Sequence, residues 1–450
     1  MTLLDALRDA VGAEHVLVDD DVKRSYETDW TGRFSAAACA VVRPGSTDEV
    51  VAVVQACAAE GTPVVVQGGN TGLVGGGIPA GGEVLVSLTR LTSLGDVDVA
   101  SSQVTVGAGV TLTALQQLAR SQGLDFGVDL AARDSATVGG LVATNAGGIR
   151  VLRYGSMRAQ LVGAEVVLAD GSVVSRLGGL AKDNTGYDLV SLLCGSEGTL
   201  GILTRLRLRL VPQLRARAVA LLALPDVVTA VGLLPSLRAS LPDLVAAELF
   251  FPDGLALVRA YAGLPAPFPL EHPAYLLLEC AAATDPTDQL VKAVAELDAL
   301  LDATVATDAA GQRALWAYRE QHTEAISAAG VPVKLDVSVP VGSLSTLVER
   351  LPAAVRGAAD GARLIVFGHV NEGNLHINVL DVAQAGEQVT DVVLRLVAEL
   401  DGSISSEHGV GRAKVAWLGL SRSTTEIAAM RAVKNALDPG GLFNPGVLLP

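Results

Sequence analysis

Cysteine is scarce: Cys39, Cys57, Cys194 and Cys280 are scattered over 450 residues with no CxxC pair. That spacing excludes a disulfide scaffold and a zinc knuckle, and it fits reduced thiols in a cytoplasmic enzyme. Histidine is also rare, with six in the chain. Long apolar runs are missing. The nearest approach, 218–234, is interrupted by Pro225 and Asp226, whereas a spanning helix needs about 20 apolar residues largely free of charge. The stretch reads instead as a strand, AVALLAL, followed by a helix with Asp226 as its N-cap. The opening MTLLDALRDAVGAEHV carries acids early and no basic stretch before an apolar core. It reads as an amphipathic helix, not a signal peptide, so a soluble protein without a transmembrane segment is expected. A formal net charge of −15 argues against nucleic acid or an anionic membrane surface as the main partner.

Apolar residues make up half of the chain and glycine contributes 48 positions, which implies a large buried core with many tight turns. The length allows two or three domains. The first half is rich in strands and glycine, including PVVVQ, EVLVSL, SQVTVGAG and a hairpin AEVVLADGSVV turning at Asp170-Gly171. Helical periods ending at glycine occur in VVAVVQACAAEG and TLTALQQLARSQG. A boundary falls near Val211–Pro212. Beyond it, strand–helix–strand units recur three times, which predicts an antiparallel sheet with helices on one face, an α+β domain.

Several segments carry the residue types of a binding site. GGNTGLVGGG, at 68–77, has six glycines in ten residues; backbone N–H groups there can approach a pyrophosphate closely, with Asn70 and Thr71 as added donors. Gly107-Ala-Gly109-Val-Thr-Leu112 imitates a dinucleotide fingerprint but has leucine where the third glycine belongs, so it reads as structural. The Cys194-Gly-Ser196-Glu-Gly198 stretch has cysteine at the first glycine of a nucleophile elbow, so no serine hydrolase follows. Segments 133–148 and 182–202 interleave hydroxyls, amides and glycines; they suit either wrapping of a large polar ligand or a set of turns. Arg319 and Thr323 share a face if their stretch is helical, and Lys334 opens the alternating strand KLDVSVP. Arginine suits a bidentate grip on a carboxylate, with lysine able to hold a second one.

FGHVNEGNLHIN and SSEHGVGR hold three of the six histidines. If 371–374 form a hairpin loop, His369 faces His376 with Cβ atoms about 4.5–5.5 Å apart, suited to two imidazoles on one metal ion. Glu407 is then a third ligand and His408 stays free for proton transfer, the pattern of a catalytic site with an open position. Core histidines on a buried strand are the competing reading.

QGGNTG, RDSATVGGLVATNAGG, RYGSM, KDNTGYDL, GSEGTLGI, FGHVNEGNLHIN, SSEHGVGR and FNPG occur in this order. Together they resemble the FAD-dependent D-2-hydroxyacid dehydrogenases of the vanillyl-alcohol oxidase / p-cresol methylhydroxylase flavoprotein superfamily, over almost the whole chain. The resemblance implies an α+β protein with a two-part FAD-binding domain at 1–212, an antiparallel-sheet substrate or cap domain carrying the metal site at 213–424, and a segment at 425–450 returning to the FAD domain. It assigns FAD contacts to Gly68, Gly69, Asn70, Thr71, Gly72, Ser135, Gly139, Gly140, Asn145, Gly147, Gly198 and Ile202. It assigns a divalent metal, zinc, to His369, His376 and Glu407, with His408 as catalytic base. No histidine lies in the FAD segments, so the flavin is expected to be non-covalent. Asn371-Glu372 replaces the family's usual Gly-Asp within the hairpin loop.

Arg319, Thr323, Lys334 and Asn378 match substrate-contacting positions of the D-2-hydroxyglutarate dehydrogenases, and two cations near one metal favour a dicarboxylate over D-lactate, the alternative. An oxidase using O₂ directly is less favoured. The implied electron acceptor is an electron-transfer flavoprotein, a quinone or another carrier, and a homodimer is compatible with the sequence.

Overall fold

The computed structural model describes residues 2–382 and 384–450. The chain divides into two compact units, one formed by Met1–Gly148, Tyr154–Gln213 and Glu407–Pro450, the other by Ile149–Arg153 and Leu214–Ser406.

In the first unit, helix Thr47–Ala59 starts where the Ser46 side chain accepts from Glu49 N, with Asp48 and Glu49 in the first turn. Both features favour a helix start, through an N-cap bond and the helix dipole. Its buried residues, Val50, Val53, Val54 and Cys57, follow the i, i+3, i+4, i+7 spacing of one face. This face joins a core cluster with the strands Ala40–Val42, Val64–Gln67 and Val84–Ser87. These three strands pair in parallel, and Val16–Leu17 closes the edge antiparallel. A second four-stranded sheet is antiparallel, in the order Gln103–Gly107, Ile202–Arg209, Leu161–Val167, Val173–Arg176. Its hairpin turns at Gly171, whose φ of 81° suits glycine, with Ser172 N donating to Asp170 Oδ1.

The GAGVTL stretch has a structural cause. A Cβ at Gly107 would stand 2.2 Å from Leu91 O, and one at Gly109 would stand 2.2 Å from Leu88 O. The glycines let strand end and loop touch backbone to backbone.

The second unit is built on a seven-stranded sheet in the order Asp302–Ala306, Ala216–Leu224, Ala274–Ala282, Leu244–Phe250, Arg363–His369, Asn374–Leu380, Val333–Ser338. Every neighbouring pair is antiparallel. The centre of the sheet is covered on both faces, as the wholly buried run Ala274–Ala282 shows. Leu276, Leu277 and Leu278 are 0% exposed, and complete burial stabilises by about 1.5–3 kcal/mol per leucine-sized side chain. Helix Val227–Ser240 starts at Asp226, whose side chain accepts from Thr229 N, as the sequence predicts. Among the described residues no helix is long and apolar enough to cross a membrane.

Candidate active site

The hairpin of the second unit carries the two expected histidines, in a register that differs from the simplest reading of the sequence. His369 pairs with Asn374 and Phe367 with His376, so the imidazoles are not directly opposed. Val370–Glu372 winds into a 3-10 turn, and Gly373 closes it at φ 70°. A Cβ on Gly373 would lie 2.0 Å from Val339 O, so the turn admits only glycine there. Asn374 and His376 sit two apart on one strand and share a face. The histidines therefore meet on the diagonal, with Nε2 atoms 3.4 Å apart and rings nearly perpendicular.

Register lines up the surrounding chemistry in rows. Glu248, His369, Asn374 and Ser338 form one row across four strands, and Phe250, Phe367, His376 and Asp336 form the next. Asn378 and Lys334 oppose each other in the row beyond. The two acids of these rows, Glu248 and Asp336, have no counterpart among the expected site residues. His369 Nδ1 lies 2.6 Å from Glu248 Oε1, and His376 Nδ1 lies 3.4 Å from Asp336 Oδ1. A carboxylate only accepts, so a neutral His369 ring carries its hydrogen on Nδ1 and turns its Nε2 toward His376.

Asp336 is itself held: Asn374 Nδ2 donates to Oδ1 at 2.8 Å, and Ser406 N donates to Oδ2 at 3.1 Å. Glu407 and His408 follow Ser406 directly in sequence and belong to the first unit. The signal for Glu248 is a single charge inside the otherwise apolar strand LVAAELF, and that for Asp336 is a single acid among the inward positions of KLDVSV. A charge in such a place costs several kcal/mol unless it is paired.

Arg319 is 7% exposed. Its guanidinium donates to Glu248 Oε2 at 2.8 Å and lies 4.5 Å from the centre of the Phe367 ring. Burial raises the Glu248 carboxyl, but the His369 imidazole and the Arg319 guanidinium beside it outweigh that and hold the group below its usual value. The stretch containing Arg319 and Thr323 is not one helix. Ala309–Glu320 ends at Gln321 and His322–Ala329 starts anew, so the two side chains do not share a regular i, i+4 face. His322 is fully buried, 4.8 Å from the Phe367 ring centre, with Nδ1 3.1 Å from Arg319 O. Burial, helped by the Arg319 charge, pushes its pKa down to about 3. Lys334 is half-buried, its pKa lowered by burial, with Nζ 3.5 Å from Ser327 Oγ. Asn378 is 5% exposed and donates to His376 O at 3.4 Å.

The twelve positions expected to contact a cofactor all lie in the first unit. Two of its loops touch edge to edge: a Cβ on Gly69 would stand 1.8 Å from Ser135 O, and one on Gly68 would stand 2.3 Å from Thr137 Oγ1. These glycines thus serve loop contact as well as any ligand. Asn70 does not offer a spare amide: in a left-handed conformation (φ 52°), its Nδ2 donates to Thr28 O and Ser25 O at 2.9 and 3.3 Å. Thr71 is half-buried and Gly72 has open space where a Cβ would be.

Gly139 lies against Ala108, and Gly140 lies beside Thr137 at the start of helix Val138–Thr144. Asn145 ends that helix in a left-handed turn, its Oδ1 accepting from Ser156 Oγ and Arg158 N. Buried Gly147 follows, and Gly148 N donates to Glu407 Oε1 at 2.6 Å. Gly198 takes φ 71° beside Asn444, and Ile202 is fully buried at the start of its strand.

Residues 38–176 match the FAD binding domain, and residues 213–448 match the FAD linked oxidases, C-terminal domain. A D-2-hydroxyglutarate dehydrogenase of Xanthomonas citri pv. viticola is 39% identical over 98% of this chain and 96% of its own. The mitochondrial D-2-hydroxyglutarate dehydrogenase of Bos taurus is 36% identical over 97% of this chain and 81% of its own. Among solved structures, p-cresol methylhydroxylase with substrate bound superposes with a TM-score of 0.79 at 16% identity, over 99% of this chain and 95% of the other. The 4-ethylphenol oxidase of Gulosibacter chungangensis gives 0.76 at 21%, over 99% and 96%. These two likenesses establish the α+β fold expected from the sequence. The chain is an FAD-dependent oxidoreductase of the FAD-linked oxidase family, in the group that the D-2-hydroxyglutarate dehydrogenases represent.

Proposed function

We propose that the protein oxidises D-2-hydroxyglutarate to 2-oxoglutarate, using non-covalent FAD and a divalent cation, zinc, and passing electrons to a separate carrier. The names and near full-length coverage of the relatives support the substrate. The observation that carries the metal is the pair of Nε2 atoms 3.4 Å apart, each ring backed by a carboxylate. Ligands about 2.0–2.1 Å from a tetrahedral zinc stand about 3.3–3.4 Å apart, so the pair fits the ion. Carboxylates behind ligating histidines are the usual outer support of such sites. The two glycine-rich loops in edge contact, bearing backbone amides and hydroxyls, fit a large polar cofactor such as FAD.

The reaction takes a hydride from Cα and a proton from the hydroxyl of the substrate. Bound FAD supplies the two-electron acceptor, and a bound cation supplies a Lewis acid that makes a coordinated hydroxyl more acidic. His369, His376 and Glu407 would hold the cation, and the FAD contacts are those assigned above from Gly68 to Ile202. His408 accepts the hydroxyl proton. Lys334 and Asn378, opposed across two strands, bind the distal carboxylate, with Thr323 and Arg319 completing the substrate set. Arg319 is already held by Glu248, so its contribution is a rigid positive charge. These groups orient the substrate, which is where a bound geometry lowers a barrier.

The experiment is anaerobic bleaching of the flavin with D-2-hydroxyglutarate and D-lactate in parallel, before and after exhaustive chelation. Rapid bleaching by D-2-hydroxyglutarate alone, lost with the metal and restored by zinc, is expected. Bleaching by D-lactate alone removes the substrate, and bleaching untouched by metal removal removes the cation.

A further inference from the structure

Glu197 is 8% exposed, and no step above uses it. It sits in GSEGTLGI with φ 51°, a left-handed conformation that strains a non-glycine residue and persists where surroundings enforce it. Both carboxylate oxygens are engaged: Oε1 accepts from Val410 N at 2.8 Å and Oε2 from Gly411 N at 2.7 Å. Its backbone carbonyl accepts from Asn444 Nδ2 at 2.7 Å, and Asn444 Oδ1 accepts from Val66 N at 2.8 Å. Burial raises the carboxyl, opposed by the two N–H groups and the Lys414 charge.

The loop it grips is His408-Gly409-Val410-Gly411. Gly409 and Gly411 have φ of 84° and 54°, so this backbone has wide freedom unless something outside it fixes its amides. Gly411 is pressed on Val74, where a Cβ would lie 2.2 Å from the carbonyl oxygen. The adjacent Gly198 belongs to the segment assigned to the flavin. We propose that Glu197 is a positioning residue, clamping the 408–411 loop by two amides and so fixing the His408 imidazole relative to the flavin-binding segment. This rests on His408 being the base.

Glu197→Gln tests it, because the amide keeps the size but puts an NH₂ against one of the two N–H donors. A misplaced catalytic group costs up to about a hundredfold. The expected result is a kcat per bound flavin lowered about tenfold to a hundredfold, KM for D-2-hydroxyglutarate within about twofold, and a displaced acid limb of the kcat–pH profile. Asp438→Asn weakens the bonds that this buried carboxylate accepts from Leu442 N and Phe443 N; it should lower the melting temperature and leave kcat per flavin unchanged. An unchanged kcat per flavin in Glu197→Gln, whatever its melting temperature, overturns the clamp.

If that variant yields no holoenzyme, amide exchange in the unaltered holoenzyme decides. Protected Val410 and Gly411 amides support the clamp, and exchange at open-loop rates overturns it. His408→Asn separates the two readings. Full kcat there removes the base itself, whereas a large loss there beside an unaffected Glu197→Gln removes only the clamp.

Discussion

Glu248→Gln should be among the most disruptive single-atom changes in the second unit. Glu248 is 1% exposed and is bonded to both Arg319 and His369. The amide keeps one acceptor and turns a donor toward a donor, while Arg319 keeps its charge at 7% exposure. Removing one partner of a buried pair costs about 3–5 kcal/mol, and the retained oxygen puts this variant near the lower figure. Each kcal/mol shifts the midpoint of a unit of this size by about 2–4 °C, so a fall of about 6–12 °C is expected.

Arg319→Met should destabilise similarly by stranding the Glu248 charge. The double variant strands nothing, so its loss should fall short of the sum by about 1–3 kcal/mol. Acid sharpens the test. Glu248 has a folded pKa below its ordinary 4.5, so its stabilisation is complete above the ordinary value and is lost as pH falls through the depressed one. That limb should flatten in the variant. Urea unfolding of the four proteins, across pH, measures all of this. Strict additivity, with losses under about 0.5 kcal/mol, would refute the reasoning, since only surface changes are usually that small.

Other expectations are simpler. His322 titrates near 3 when folded against an ordinary 6.5, so the unfolded chain takes up a proton that the folded one refuses. Stability should fall by up to about 1.4 kcal/mol per pH unit as pH drops below about 6.5, and His322→Leu should abolish that slope in urea titrations from pH 7 to 5. Lys334→Ala should impair D-2-hydroxyglutarate turnover far more than D-lactate turnover; equal losses in kcat/KM would dismiss a distal-carboxylate contact. Of the four thiols only Cys39 is exposed, and burial pushes Cys57 and Cys280 to about 12 and Cys194 to about 11. A thiol reagent should therefore label one cysteine in the native protein and four after denaturation.

Sequence showed the architecture wherever local chemistry decides it. Asp226 marks a helix start because it satisfies a free backbone amide within its own turn. The antiparallel character of the second unit was visible in its repeating strand–helix–strand pattern. The hairpin register was not, because it depends on a 3-10 turn and on Gly373 meeting Val339, a contact between distant segments. Glu248 stayed hidden for a related reason: it lies 121 positions from His369, and only strand pairing makes them neighbours. The break at Gln321 interrupts what reads as one continuous helix. The engagement of Asn70 by Ser25 and Thr28 is likewise invisible without the fold.

The bond from Val66 N to Asn444 Oδ1 joins residues 378 positions apart. Its consequence concerns the order of folding. During synthesis the first unit has its opening two hundred residues long before its final strap of 407–450 exists. The second unit, nearly contiguous from Leu214 to Ser406, emerges whole in between. Closing so large a loop in a disordered chain is slow. Until the strap arrives the Glu197 carboxylate and the outer edge of strand Val64–Gln67 lack the partners it supplies. That interval is when a nascent chain is most exposed to mispairing.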